Sequence, residues 1–386
     1  MKINQAIILV GGLGSRLGAI TTKTPKPLIR INNKPFLDYV INYLIKYKFN
    51  KIILLTKFKH ELFFKKYHNK IINNAKIKCI NQKKFYGTAG SLKNVINKLD
   101  KRFLLCNGDT FFEINLFDLI KKFSKQYIGV LGCSEIQKSL KRYTSFSHKD
   151  RKLISSGVYL FNRDKIKKFL STSSSLENEV LKRLPKKSFK KIGYKKKFLD
   201  IGTPKDLRRS SLFLEQSSKK KCVFLDRDGV INYDLGYVHK KENFFWKKKV
   251  PEAIKLLNDN DFYVIIISNQ SGVGRGYYKI QDVDTLHEWV NTYLHNKGCF
   301  IDKFYYSPYY KFSKQKKFRV GKNLRKPNIG MFNKAVRQFK IIKKNSYFIG
   351  DKDTDAKAAK KFNIKYFNVD NKTNLYNLVK KYITRK

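Results

Sequence analysis

The chain alternates short apolar runs with stretches of helical periodicity over almost its whole length, and this alternation constrains its fold more than any other feature. Between the first two runs, apolar residues fall at positions 36, 37, 40, 41, 44 and 45, the spacing of one helix face. Such a pattern predicts strands joined by helices, the α/β class. The runs interpreted as strands are 6–10, 52–56, 77–80, 103–106, 128–131, 157–161, 223–225, 263–268, 346–349 and 364–367.

The alternation is interrupted in residues 208–221, which are rich in Arg, Ser and Lys. A chain of 386 residues is also longer than one average domain of roughly 150 residues. We therefore place a linker at 214–221 and predict two domains, 1–216 and 217–386. No internal repeat is visible, so two different α/β units are expected rather than a duplication.

Composition favours a cytoplasmic enzyme without a membrane span. No apolar run approaches the roughly 20 residues that cross a bilayer, and the first run, 6–10, is too short for a signal peptide. The five cysteines are scattered without a CxxC pair, as expected for small core residues in a reducing compartment. The oligomeric state stays open, with a homo-oligomer among the alternatives.

The net charge of +55 has two interpretations. It is typical of a basic protein that associates with nucleic acid. It is equally typical of a lysine-rich composition, and the lysine triplets at 195–197, 219–221 and 247–249 are spread along the chain rather than gathered in one arm. We favour the second interpretation and expect anionic small molecules as partners, with no nucleic acid.

A glycine-rich segment follows the first predicted strand. Gly11, Gly12 and Gly14 would let backbone N–H groups approach phosphate oxygens. Leu17 stands where the dinucleotide-binding fingerprint has its third glycine, and no Gly-Lys-Ser/Thr follows as in a P-loop. By itself this segment is a phosphate cradle or a structural turn.

Further motifs follow in a fixed order: Lys26 between Pro25 and Pro27, then Gly87-Thr88-Ala89-Gly90, Asn107-Gly108-Asp109 and Asp200-Ile201-Gly202. Together with the glycine segment they resemble the sugar-1-phosphate nucleotidylyltransferases over residues 3–214. The resemblance implies a Rossmann-like α/β/α nucleotidyltransferase fold. It also implies attack of a sugar phosphate on the α-phosphorus of a nucleoside triphosphate, a reaction that needs positioning and charge neutralisation more than a strong base.

The resemblance assigns roles to residues of the first half. Asp109 and Asp200 would hold Mg²⁺, a cation suited to oxygen ligands. The family's Glu-Lys pair before the sugar-contacting strand is absent, because residues 142–146 read Arg-Tyr-Thr-Ser-Phe. The other assignments are Gly11, Gly12, Gly14 and Arg16 on the triphosphate, Lys26 on phosphate, Gln82, Gly87 and Thr88 at the base, and Gly157 and Glu177 near the sugar.

The second half carries four motifs at the ends of predicted strands, where open α/β sheets place ligands. They are Asp226-Arg227-Asp228-Gly229, Ser268-Asn269-Gln270, Arg325-Lys326-Pro327, and Gly350-Asp351 with Asp355. In this order they resemble the haloacid-dehalogenase (HAD) superfamily, which implies a second Rossmann-like α/β/α domain of HAD-like fold.

The resemblance implies an aspartyl-phosphate mechanism. Asp226 is the nucleophile, and Asp228 protonates the leaving group and later activates water. Ser268 and Lys326 would hold the phosphoryl oxygens, and Asn269 completes the predicted catalytic set. Mg²⁺ on Asp226, Asp351 and the Asp228 carbonyl would offset the repulsion between a carboxylate and a phosphate dianion.

Finer features resemble the D,D-heptose 1,7-bisphosphate phosphatases and histidinol phosphatases. That branch often binds structural zinc, but the matching positions hold Ser307, Tyr309, Lys322 and Leu324, so no zinc is expected and aromatic packing must order the loop.

Arg275 and Arg325 are predicted to clamp a second phosphate of the substrate, unless either merely pairs with a neighbouring carboxylate.

The two halves suit consecutive steps. Removal of the 7-phosphate of D-glycero-D-manno-heptose 1,7-bisphosphate yields the sugar 1-phosphate that the first half would activate, with GTP as the expected donor of a GMP group. The alternative within enzymes is a hexose-1-phosphate nucleotidylyltransferase fused to a phosphatase of other specificity. The alternative from another class is the basic nucleic-acid-associated protein.

Overall fold

The computed structural model describes residues 3–135, 145–148, 151–196, 198–319, 323–370 and 373–383. The chain divides into two compact units, Met1–Leu214 and Glu215–Lys386. Among the described residues, no helix is long and apolar enough to span a bilayer.

Unit 1 is built on a mixed sheet. Its described residues form nine strands in the order β12-β9-β11-β7-β1-β4-β6-β5, with β10 paired to β11. Neighbours around β1 run parallel, whereas β11 runs antiparallel to both β7 and β9. Two small sheets, β2–β3 and β8–β13, complete it. The strands are β1 Gln5–Leu9, β2 Arg30–Ile31, β3 Lys34–Pro35, β4 Lys51–Thr56, β5 Ile71–Ile72, β6 Ala75–Asn81, β7 Arg102–Asn107, β8 Thr110–Phe111, β9 Gly129–Ser134, β10 Ser145–His148, β11 Arg151–Asn162, β12 Phe189–Tyr194 and β13 Leu199–Asp200.

Helices cover this sheet through apolar faces. Ile7, Ile53 and Leu105 share a buried cluster with Ala89 and Leu92 of a helix that begins at Gly87. The α-helices are α1 Ala19–Lys23, α2 Phe36–Lys46, α3 His60–Tyr67, α4 Gly87–Val95, α5 Leu116–Lys122, α6 Arg163–Ile166, α7 Leu181–Arg183 and α8 Pro204–Ser218. A π-helical turn, Leu176–Val180, precedes α7. The residues predicted as a linker, 214–221, are helical as far as Ser218, and the division between the two units falls at the start of this segment.

Unit 2 contains a parallel sheet. Its described strands follow the order β16-β15-β14-β17-β18, and each neighbouring pair is parallel. The strands are β14 Cys222–Leu225, β15 Tyr263–Asn269, β16 Lys303–Ser307, β17 Tyr347–Gly350 and β18 Lys365–Asn368. The α-helices are α9 Val250–Asp259, α10 Gly272–Arg275, α11 Ile280–Lys297, α12 Gly330–Gln338, α13 Asp353–Phe362 and α14 Leu375–Leu378, the last continued by a π-helical turn, Val379–Ile383.

Each face of this sheet has its own core, because successive strand side chains point to opposite faces. Val223 and Leu225 pack in a cluster that includes Ile254 of α9, whereas Cys222 and Phe224 pack in a second cluster with Phe332 of α12. Helices therefore cover both faces, as expected for an α/β/α unit. Every predicted strand run corresponds to a strand, and all five cysteines are buried.

Candidate active sites

A cavity of about 360 Å³ lies in unit 1 beside the glycine-rich loop that follows β1. Its walls come from the ends of β1 and β7 and the start of α4, so they gather segments far apart in the sequence. The predicted residues that line it are Gly11, Gly12, Gly14, Arg16, Lys26, Gln82, Gly87, Thr88 and Asp109. The sequence therefore identified nine of the 21 residues that line the cavity.

Lys26 forms the electrostatic centre of this cavity. Its Nζ lies 2.5 Å from Oδ2 of Asp109 and 3.1 Å from Oδ1 of Asp200. Asp109 directly precedes β8, and Asp200 lies in β13, where it pairs with Thr110 of β8. Two carboxylates that reach one ammonium can also reach one hard cation, so the donor set fits Mg²⁺. The structure adds that Lys26 contacts the predicted metal ligands, besides the phosphate role predicted for it.

Gly14 allows this lysine to lie so close to the loop. It has φ of +69°, a left-handed conformation, and a Cβ there would contact Lys26 Cβ at 3.3 Å and Thr21 Cγ2 at 3.0 Å. Glycine is the residue that tolerates both demands.

The two residues predicted near the sugar lie behind the cavity wall. Glu177 accepts hydrogen bonds from Thr88 Oγ1 at 3.2 Å and from the Tyr159 hydroxyl at 3.0 Å. Gly157, in β11, lies against the side chain of Asn107. Thr88 and Asn107 line the cavity, so Glu177 and Gly157 each contact it through one neighbour.

Several cavity residues had no role predicted from the sequence, namely Lys57, Lys84, Phe85, Tyr86, Ser91 and Asn107. Asn107 belongs to the Asn107-Gly108-Asp109 motif, which was a usable signal. The others follow β4 or β6 or lie in α4, and only strand order places them together.

In unit 2 the predicted nucleophile lies directly after β14. Asp226 Oδ2 is 2.9 Å from Nζ of Lys326, and the same Nζ is 2.7 Å from Oδ1 of Asp355, in the first turn of α13. All three side chains are almost fully buried. Burial raises the pKa of Asp226 to about 7, although Lys326 opposes the rise. Asp355 appeared in the sequence motif without a role, and the structure makes it the second partner of Lys326.

Asp351, after β17, completes a group of three carboxylates with Asp226 and Asp355 whose oxygens lie within 4.8 Å of one another. Its Oδ1 is buried and has no hydrogen-bond partner among the described residues. Burial also raises the pKa of Asp351. Three carboxylates and one ammonium leave two negative charges, which a divalent cation would balance, so this site fits Mg²⁺.

Gly229 makes room for this group. Its φ is +84°, and a Cβ built on it would collide with the carboxylate of Asp351. Both halves thus place a left-handed glycine where a charged side chain approaches the backbone.

Asp228 points to a different set of partners. Its carboxylate accepts hydrogen bonds from Arg227, from Asn232 Nδ2 at 2.9 Å and from Gln270 Nε2 at 2.8 Å. The same Gln270 nitrogen donates to Ser268 Oγ at 2.8 Å. The side chain of Asp228 is therefore outside the three-carboxylate group, and its predicted metal contact concerned the backbone carbonyl.

Asn269 contacts the lysine segment instead of an open site. Its Nδ2 donates to the Lys326 carbonyl at 3.1 Å, and its Oδ1 accepts from the Lys326 N–H at 3.0 Å. This reciprocal pair fixes Lys326 to the end of β15. The geometry favours a positioning role over the direct catalytic role predicted for Asn269.

Comparisons with known proteins match the two halves of the chain to different families. A family model described as nucleotidyl transferase matches residues 5–146, and one described as polynucleotide kinase 3 phosphatase matches residues 225–378. The chain is 39% identical over 147 residues to the D-glycero-beta-D-manno-heptose-1,7-bisphosphate 7-phosphatase of Haemophilus ducreyi, a match covering 38% of this chain and 80% of the relative. It is 33% identical over 213 residues to the D-glycero-alpha-D-manno-heptose 1-phosphate guanylyltransferase of Campylobacter jejuni, covering 52% of this chain and 96% of the relative.

The chain belongs to two families. Its first half is a member of the nucleotidyltransferases, and its second half is a member of the HAD-like phosphatases. A crystal structure described as HddC from Yersinia pseudotuberculosis complexed with GMP-PN superposes with a TM-score of 0.50 at 26% identity, covering 55% of this chain and all of that one. The predicted resemblance, fold class and two enzyme classes are confirmed.

In the phosphatase half, the guanidinium of Arg275 stacks on the Tyr310 ring, with Cζ 3.8 Å from the ring centroid. Arg325 donates to the Tyr309 carbonyl at 3.3 Å. Burial, and then the neighbouring charge of Arg275, lower the pKa of Arg325, so the two guanidinium groups act on each other. Neither forms an ion pair with a carboxylate within the described part of the chain, which argues against the alternative that they only balance local acids.

Three of the four positions expected to match zinc ligands lie within the described residues, where they make other contacts. Ser307 is buried at the end of β16, Tyr309 accepts from Arg325, and Leu324 packs on the core that contains Phe332. Lys322, the fourth position, lies outside the described residues. The Tyr310 N–H donates to the Phe318 carbonyl at 2.9 Å, which closes the loop on itself.

Proposed function

We propose that this chain catalyses two steps toward a nucleotide-activated heptose. The phosphatase half removes the 7-phosphate of D-glycero-D-manno-heptose 1,7-bisphosphate, and the transferase half joins GMP from GTP to the heptose 1-phosphate. The observation that carries the proposal is the pairing of relatives, because a heptose bisphosphate phosphatase and a heptose 1-phosphate guanylyltransferase are each matched over more than two thirds of their length.

The proposal requires one anomer for both steps, since removal of a 7-phosphate leaves the anomeric carbon unchanged. The transferase relative is named for the α anomer and the phosphatase relative for the β anomer. We propose the α anomer, because the transferase half uses the anomeric phosphate directly and its match covers almost the whole relative.

In the transferase half, the residues position substrates and balance charge. The sugar phosphate attacks the α-phosphorus, a P–O bond forms, and the bond to pyrophosphate breaks. Arg16 and the glycine loop would hold the triphosphate, and Lys26 would offset its charge. Both families generally use Mg²⁺. Asp109 and Asp200 would hold it here, where it supplies positive charge against the phosphates. Glu177 would act on the sugar site through Thr88, a cavity residue whose hydroxyl it holds by accepting a hydrogen bond.

In the phosphatase half, Asp226 attacks phosphorus and forms an aspartyl-phosphate while the leaving oxygen takes a proton from Asp228. Water then attacks the intermediate, gives a proton to Asp228, and releases phosphate and the Asp226 carboxylate. Lys326 and Ser268 would hold the phosphoryl oxygens. Asp226 and Asp351, with the Asp228 carbonyl, would hold Mg²⁺, which supplies charge that offsets repulsion between carboxylate and phosphate.

Arg275 and Arg325 support a bisphosphate as substrate. The two guanidinium groups lie near each other without carboxylate partners in the described structure, so they are available to a second phosphate dianion. Histidinol phosphate carries an ammonium at its far end, which these two cations would repel. We therefore propose that the bisphosphate is preferred over histidinol phosphate.

A coupled assay tests the proposal. The full chain is incubated with Mg²⁺, heptose 1,7-bisphosphate of each anomer and each of four nucleoside triphosphates, while phosphate and pyrophosphate are measured separately. We expect phosphate release first, and pyrophosphate only with the α anomer and GTP. Pyrophosphate release with a hexose 1-phosphate but not with heptose 1-phosphate would favour the hexose alternative. Better hydrolysis of histidinol phosphate would contradict the proposed phosphatase specificity.

A further inference from the structure

The largest fully buried side chain of the described structure is a charged one, Arg227, which stands between the two aspartates of the phosphatase motif. Its side chain has no exposed surface, so it cannot touch a substrate. A buried charge is costly unless it is paired and hydrogen-bonded. Such a residue beside a proposed nucleophile needs an explanation that the phosphatase motif does not supply.

The contacts of Arg227 explain where its charge is used. Nη2 lies 2.9 Å from Oδ1 and 2.8 Å from Oδ2 of Asp228, and Nε lies 3.1 Å from Oδ1. The same Nη2 donates to the Val238 carbonyl at 2.5 Å, and Nη1 lies 3.4 Å from His287 Nε2. Burial, and then the charge of Arg227, lower the pKa of His287 well below its usual value, so this neighbour adds no second cation.

Two further donors complete the arrangement around Asp228. Asn232 approaches one carboxylate oxygen and Gln270 the other. Gln270 is itself held by the Tyr278 hydroxyl at 3.0 Å. The carboxyl group is therefore fixed in orientation by donors from its own loop and from the segment after β15, and only 14% of its side chain is exposed.

We propose that Arg227 is a positioning residue that holds the carboxyl group of Asp228 in line with the leaving oxygen of the phosphate ester. The inference rests on the proposed phosphatase activity and adds a residue that the proposed mechanism does not use. In the first step, the bond from phosphorus to the ester oxygen breaks, its electron pair stays on that oxygen, and the proton of Asp228 neutralises it. Without Arg227 the nucleophile and Lys326 remain, but the acid loses its fixed geometry.

The test compares two substrates that differ in their need for that proton. Phenyl phosphate leaves as a basic phenolate that benefits from protonation, whereas p-nitrophenyl phosphate leaves as a stabilised anion. The quantity measured is kcat/KM, which reports steps up to formation of the aspartyl-phosphate and so excludes the later role of Asp228 with water. The ratio between the two substrates is independent of how much of a variant is folded.

We expect Arg227→Met in the full chain to lower kcat/KM for phenyl phosphate about 10- to 100-fold more than for p-nitrophenyl phosphate, within the range that general acids contribute. Asp228→Asn should show the same selectivity to a larger extent. Arg227→Lys keeps the charge without the fork and should fall between Arg227→Met and wild type. Arg337→Met, at an exposed arginine of α12 outside these contacts, should leave the substrate ratio unchanged.

The outcomes separate the inference from the function on which it rests. Equal losses for both substrates in Arg227→Met, beside a selective loss in Asp228→Asn, would show that Arg227 is only structural and would overturn the inference. An unselective loss in Asp228→Asn would remove the acid that Arg227 is proposed to position. If the wild-type chain hydrolysed neither these esters nor heptose 1,7-bisphosphate, the proposed phosphatase function would fail and the inference with it.

Discussion

The two halves contain the same arrangement of charged side chains but bury it to different extents. In each half one lysine ammonium lies between two aspartates: Lys26 between Asp109 and Asp200, and Lys326 between Asp226 and Asp355. In the transferase half the side chain of Asp109 is 32% exposed, whereas in the phosphatase half no member of the trio is more than 7% exposed.

This difference follows from the chemistry that each half performs. A nucleotidyl transfer uses a nucleophile that the substrate brings, so an open cavity with fixed charges is sufficient. A phosphatase that forms an aspartyl-phosphate must supply the nucleophile itself. Burial raises the free energy of that carboxylate, as the raised pKa of Asp226 indicates, and the lysine limits the cost.

The largest expected effect is the loss of one activity while the other activity is retained. Asp226→Asn should lower phosphate release by at least about 10³-fold because it removes the nucleophile. Pyrophosphate formation from supplied heptose 1-phosphate and GTP should stay within about 2-fold of wild type. Lys26→Met should give the reverse pattern, with a loss of about 10²-fold in pyrophosphate formation. If Asp226→Asn lost both activities while remaining folded, the two halves would not be independent.

The difference in burial should appear in a comparison of stability. Lys326→Met leaves two fully buried carboxylates without their cation and should cost about 3–5 kcal/mol in unfolding free energy without Mg²⁺. Lys26→Met should cost less, about 1–2 kcal/mol, because water reaches Asp109. Denaturant titration measures the two values, followed by circular dichroism for the whole chain and by fluorescence of Trp246 and Trp289, which both lie in the second half. Equal costs would show that the difference in burial has no energetic consequence.

The proposed arginine clamp predicts a substrate-dependent effect. Arg325→Ala should lower kcat/KM for heptose 1,7-bisphosphate by about 10- to 100-fold, the value of one or two charge-assisted hydrogen bonds. The loss for p-nitrophenyl phosphate, which lacks a second phosphate, should be below about 3-fold. Arg337→Ala, an exposed arginine on α12, is the matched control. Equal losses for both substrates in Arg325→Ala would leave the clamp without support.

Magnesium should stabilise the phosphatase half more at pH 8 than at pH 5.5. Because burial raises the pKa of Asp226 to about 7, the folded state holds a proton there that the unfolded state has lost by about pH 4. Without Mg²⁺, this group therefore contributes stability at low pH that is lost as pH rises through about 7. Mg²⁺ needs the ionised form and should gain effect over the same window, reaching about 2–3 kcal/mol at saturation.

Thermal unfolding with and without Mg²⁺ at both pH values checks this expectation. Asp351→Asn removes a proposed ligand and should abolish most of the Mg²⁺ effect at pH 8. A Mg²⁺ effect that is larger at pH 5.5, or unchanged in Asp351→Asn, would mean that the cation binds elsewhere.

Strand periodicity predicted the large central strands, because those strands are buried on both faces and leave continuous apolar runs. It missed short elements such as β8 and β13, which carry no apolar run of their own and are fixed by pairing between Thr110 and Asp200. Motif order located Lys26, Asp226 and Lys326. It could not show which carboxylates each lysine pairs with, since Asp109 and Asp200 are separated by about half of unit 1.

The partners of single side chains were the least predictable feature. Asn269 looked like part of the phosphate site, yet its amide bonds to the backbone of Lys326. In the sequence, Arg227 is a single residue between two aspartates, and only its burial in the fold indicates a role for it. Such roles depend on which segments lie behind the motif, and a linear pattern does not contain that information.

The smallest expected effect concerns zinc, which should be absent from the phosphatase half. With Ser307, Tyr309 and Leu324 at three of the positions that hold zinc in related phosphatases, and Lys322 at the fourth, this loop offers no thiolate or imidazole. The chain purified without chelator should contain far less than one zinc per molecule by elemental analysis, and a zinc chelator should leave its melting temperature unchanged.

In place of zinc, two contacts would order this loop: the Arg275–Tyr310 stack and the Tyr310–Phe318 backbone hydrogen bond. Tyr310→Ala removes the stack but keeps the backbone bond, and should cost about 1 kcal/mol and speed proteolytic cleavage near residue 312. Tyr366→Ala, a tyrosine of β18 in the same half, controls for loss of an aromatic ring elsewhere. Stoichiometric zinc, or a loop whose cleavage is unaffected by Tyr310→Ala, would show that aromatic packing has not replaced the metal.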